Sequence, residues 1–166
     1  MLDLIFGLPI HALVVHAVVV LLPLSGLAAL ALVAMPRWRR PYGPLALGLA
    51  TVSTLLIPIA TASGEALKHR VGDPERHAEL GEQLIWFAIP LTALLAGLVW
   101  LDRRRPDGTA VPRFVTALLV LAALGAGVQT FRVGDSGARA VWTDQVTAAA
   151  SGQAAAGEPV RPDSDD

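Results

Sequence analysis

Apolar residues run without a single charged side chain from Leu8 to Met35, and three similar stretches follow over residues 44–62, 84–101 and 114–131. Each is long enough to cross ~30 Å of hydrocarbon, which takes about 20 residues at helical rise. The pattern predicts an all-α fold, a polytopic membrane four-helix bundle over residues 1–145. Residues 146–166, rich in Ala, Gly, Ser and Gln and closed by acidic residues, have the composition of a disordered tail. Pro23, Pro58 and Pro90 interrupt span interiors, which predicts three kinks stabilised by neighbouring groups. Asp73-Pro74-Glu75 is a good helix start, with an N-cap, a proline in the first turn and an acid suited to the dipole. A helix from there to Leu101 would stand partly outside the bilayer. No basic segment and no small-residue cleavage site mark the start, so the first stretch reads as a membrane helix and not a signal peptide. No internal repeat is evident.

Charge fixes the expected orientation. The first connection carries Arg37, Arg39 and Arg40, and the third carries Arg103, Arg104, Arg105 and Arg113, seven of the 13 basic residues, against only Asp102 and Asp107. The positive-inside rule places both connections in the cytoplasm and both termini on the outer side. Trp38, Tyr42 and Trp100 then fall at the inner boundary, and Trp86 and Trp142 near the outer one, as an interfacial belt requires. Composition agrees: 54% of residues are hydrophobic and 16% charged, with a mean hydropathy of +0.55. With no cysteine, disulfides, thiolate metal sites, iron–sulfur ligation and covalent c-type haem are excluded. A midplane ion relay lacks Asp, Glu, Lys or Arg inside the spans, and no Ser, His and acid stand in a hydrolase arrangement. Nothing in the chain points to nucleic acid as a partner.

The candidate chemistry lies in the histidines. His11 and His16 stand in the first span, roughly 4 to 5 Å and 12 Å below the outer boundary, and His69 and His77 in the outer connection and at the start of the third helix. An ionisable group inside a membrane is a functional candidate. Five residues apart, His11 and His16 diverge by about 140° on a helix, so each needs a partner elsewhere. His77 is the expected partner of His11 in a shared haem or metal site, with Gly81 leaving space beside it and Glu65 as a possible orienting acceptor. His16 is expected to bond a carbonyl or hydroxyl on another span. Arg76 and Arg132, with Lys68 and Arg70, could bind haem carboxylates. The alternative, histidines that only tie helices together, stays open. Arg132 to Ala138, with Gly134 and Gly137 at turn spacing, and Val141-Trp142 suggest a lid.

The His11-Ala12-Leu13-Val14-Val15-His16 segment, Ala62-Ser63-Gly64 ending the second span, His77 opening the third and the Gly134 to Trp142 segment together resemble the bacterial membrane proteins grouped as domain of unknown function 2231, over roughly residues 5–145. Ala12 and Ala17 depart from prolines that often follow these histidines in that family. The resemblance implies a four-helix domain of the bacterial cell membrane without an assigned activity. Two functions remain in view. One is a protein that is not an enzyme by itself and holds haem b or a transition metal on His11, His16, His77 and Glu65, the metal on His11 and His77, for electron transfer with a membrane redox partner. The other is a cofactor-free interaction or envelope-homeostasis protein. The lipid bilayer is the surrounding partner in both, and a homo-oligomer is compatible with either.

Overall fold

The structure is a computed structural model that describes residues 4–5, 8–71, 75–104 and 111–156. After a two-residue antiparallel pairing of Leu4–Ile5 with Leu8–Pro9, α1 spans Ile10–Ala34, a single 3-10 turn covers Pro36–Trp38, and α2 spans Arg39–Val71. Then come α3 (Glu75–Gln83), α4 (Ile85–Arg104) and α5 (Arg113–Ala156). Four segments are long and apolar enough to cross a membrane, and the chain is a multi-pass membrane bundle. The Asp73-Pro74 cap lies outside the described residues, as do the side chains of Lys68, His69 and Arg70.

Apolar side chains face outward as well as inward. Val20, Leu27, Leu45, Leu55 and Leu121 are each more than 60% exposed, while Leu22, Ala29, Ala50, Leu91, Leu95 and Leu119 are fully buried. An aqueous surface would not tolerate so broad an apolar band, and lipid does. Packing in hydrocarbon gains little from hydrophobic transfer, so contact depends on small residues and interhelical hydrogen bonds. Gly26 lets α1 approach the Ala123 backbone of α5. Gly43 lies under Val99 of α4, and the Thr54 and Thr92 hydroxyls meet at 2.9 Å between α2 and α4. α1 packs on α2 and α5, α4 packs on the same two helices, and α1 and α4 barely meet.

The turn between α1 and α2 is built around a proline. Pro36 has no N–H, so the Leu32 carbonyl loses its intrahelical donor. Arg39 supplies one, its Nε–H donating at 2.9 Å from a buried position. Trp38 and Tyr42 meet edge to face at 5.9 Å, and the Arg104 guanidinium lies 5.0 Å from the centre of the Trp100 ring, which gathers aromatic and cationic groups at the predicted cytoplasmic boundary.

Several expectations need correction. The third helix is broken at Leu84, where Leu84 N–H bonds the Gly81 carbonyl, three residues back instead of four. α2 extends well beyond 44–62 at both ends. The expected lid is helical: α5 passes through Gly134 and Gly137, and Gly137 serves the close approach of His77. It runs on to Ala156, covering the first part of the segment whose composition predicts disorder. Alanines are abundant there, and alanine is the strongest helix former.

Candidate functional site

Two histidines are each clamped by another helix, His11 of α1 by α2 and His77 of α3 by α5. His11, in the first turn of α1, reaches α2, where its Nδ1–H donates to the Ala60 carbonyl at 2.9 Å and lies 3.3 Å from the Ser63 Oγ. The Ser63 hydroxyl donates to that same carbonyl at 2.9 Å. Gly64 completes the seat, since a Cβ there would come within 3.0 Å of the imidazole Cε1. His77, in the first turn of α3, repeats this on α5. Its Nδ1–H donates to the Val133 carbonyl at 3.1 Å and lies 3.2 Å from the Ser136 Oγ, which itself donates to Val133 at 2.8 Å. A Cβ at Gly137 would fall 3.0 Å from its Cε1.

These partners settle the tautomer. A carbonyl only accepts, so each Nδ1 carries a proton, and in the neutral ring the lone pair is on Nε2. An imidazole held this way is oriented as metal-ligating histidines are, with the other ring nitrogen bonded to a backbone oxygen. The structure gives His11 the Ala60 carbonyl in the place expected for Glu65, and Glu65 is exposed one residue beyond the glycine seat. His16 differs from expectation: it is exposed, and its Nδ1–H donates to Ala12 of its own helix, not to another span.

His77 also lines a cavity of about 580 Å³ between α3 and α5, together with Arg76, Phe131, Arg132, Asp135 and Arg139. Its size is that of an ordinary small-molecule pocket. Asp135 is engaged by Arg139 at 2.8 Å, and Arg132 donates to the Gln129 side-chain oxygen at 3.3 Å, so the cavity presents three arginines against one carboxylate. His11 is not among its lining residues. A Cβ at Gly81 would meet nothing within 4 Å, in keeping with the open space predicted beside α3.

Gln129 is the residue that sequence reasoning missed. The break at Leu84 turns its N–H to Gly81, so the Leu80 carbonyl loses its helical donor. The buried Gln129 amide donates to it at 3.0 Å, fixing α3 on α5 one turn from His77. A polar amide in the last turn of an apolar span was the available signal.

No curated protein and no solved structure matches the chain. A family model described as a predicted membrane protein, DUF2231, matches residues 7–150. Its extent takes in both histidine clamps and all four spans, and the chain belongs to the DUF2231 family of predicted membrane proteins.

Proposed function

We propose that the protein binds a haem at the outer face of the bacterial cell membrane and exchanges electrons with a membrane partner, without being an enzyme by itself. The observation that carries this reading is the clamp on His77: a carbonyl holds Nδ1–H, Nε2 keeps its lone pair, and the ring lines a cavity flanked by Arg76 and Arg132.

The donor set favours haem over a bare transition metal. Among the described residues no three His, Asp or Glu side chains gather as metal ligands, whereas a protein-held ion needs three or four. Haem brings four nitrogens of its own and asks the protein for one or two axial ligands. His77 would provide one through Nε2, oriented by Val133 and Ser136. Arg76 and Arg132 would hold carboxylates by charge-assisted hydrogen bonds, and Phe131 would offer an apolar edge. A bound haem supplies a one-electron iron couple.

The outer placement follows from the arginines of the first and third connections. Reporter fusions at the C-terminus and after Arg104 are expected to report outside and inside, respectively. Iron content and the absorption spectrum of protein purified from membranes test the haem itself. Iron with a Soret band that shifts on reduction is expected, and protein that stays colourless even after haemin is supplied contradicts it. A specific observation favours a second reading: the two Nδ1 bonds tie α1 to α2 and α3 to α5. In that reading the histidines are latches and the protein is a cofactor-free envelope component.

A further inference from the structure

The two clamps match position for position, and the match extends through the bundle. His77 follows His11 by 66 residues, both followed by alanine, and at the same displacement the buried Val18, Leu22, Ser25, Ala29 and Leu32 of α1 correspond to the buried Leu84, Ala88, Leu91, Leu95 and Leu98. Between α2 and α5 the displacement is 73. It relates Ser63-Gly64 to Ser136-Gly137, and buried Ala50, Ser53 and Ala60 to buried Ala123, Ala126 and Val133. Pro23-Leu24-Ser25 and Pro90-Leu91-Thr92 echo each other one position out of register, beyond the break at Leu84. Packing obeys the same exchange, since each half's first helix contacts the second helix of both halves. This corrects the expectation of no internal repeat.

The surroundings of the clamps have diverged. Arg76, Phe131, Arg132, Asp135 and Arg139, which line the His77 cavity, correspond to Ile10, Pro58, Ile59, Ala62 and Ala66 in the first half. At these five positions every charge is in the second half.

We infer that the chain is a tandem duplication of a two-helix unit in which only the second copy, around His77, Arg76 and Arg132, takes a planar ligand bearing carboxylates, while the His11 copy is a latch between α1 and α2. This rests on the haem reading and specifies it. The two clamps present the same imidazole, so the neighbouring charges decide which one retains an anionic ligand.

Haemin titration of the full chain in detergent, followed by absorbance, tests it. One haemin per chain is expected, with binding lost in His77→Ala and kept in His11→Ala, whose thermal midpoint falls instead. Arg76→Leu with Arg132→Leu is expected to weaken haemin about tenfold or more and to leave haemin dimethyl ester, which lacks free carboxylates, unaffected. The ester comparison and the stoichiometry hold even if a histidine variant fails to fold. Two haemins per chain, a single haemin that needs both histidines, or loss of affinity for haemin and ester alike overturns the inference while the haem reading stands. No haemin binding by the wild type overturns both.

Discussion

Leucine at Gly137 is expected to abolish haem retention and to destabilise the bundle by about 1–3 kcal/mol, the usual range for overpacking. Even the first carbon of the new side chain would lie 3.0 Å from His77 Cε1 and 3.1 Å from Nδ1, so the ring must move. Its bond to the Val133 carbonyl is only 3.1 Å long, and movement that breaks it releases the tautomer. Gly137→Ala should give a partial effect, because a shift of a few tenths of an ångström accommodates it. Gly64→Leu displaces His11 in the same way, and there the loss should appear in thermal stability, not in haem affinity. Gly48→Leu is the control, since nothing stands within 4 Å of its Cβ direction. Haem content and thermal midpoint of the four variants separate these outcomes. Equal behaviour of Gly137→Leu and Gly48→Leu would remove the glycine seat from the account.

Leu121→Asp is expected to cost about 2.5–3.5 kcal/mol of insertion free energy, although Leu121 is 66% exposed. In a water-soluble bundle an exposed leucine tolerates aspartate within about 0.5 kcal/mol. Here the exposed face is the lipid face, near the middle of the fourth span. Ala138→Asp, also exposed but beyond the apolar band, should be close to neutral. The amount of each variant recovered in the membrane fraction reads the difference, and equal recovery would argue against lipid at Leu121.

The four spans were legible because hydropathy over about 20 residues depends on composition alone, and that survives any error in helix ends. The ends were less so. Arg39 sits inside the turn because Pro36 leaves the Leu32 carbonyl open, a relation visible only once both groups are placed. Gly134 and Gly137 read as turn residues from spacing, yet the latter is the seat of His77. The arginine loops give an expected side of the membrane for the histidines, but not their partners. Nothing local says that His11 meets Ala60 and Ser63, 49 and 52 residues away. The duplication was available in principle from the paired His-Ala and Ser-Gly dipeptides. Different displacements in the two helices, 66 and 73, hid it from a search at one fixed period.

The central claim, a histidine-held haem at the outer face, is tested most directly by reduced-minus-oxidised spectra of right-side-out vesicles containing the protein, with a membrane-impermeant reductant added outside. The account predicts a haem signal that reduces at once, without permeabilisation, and that disappears in His77→Ala. A haem signal that appears only after the vesicles are opened, or vesicles rich in the protein that give no haem signal, would contradict it.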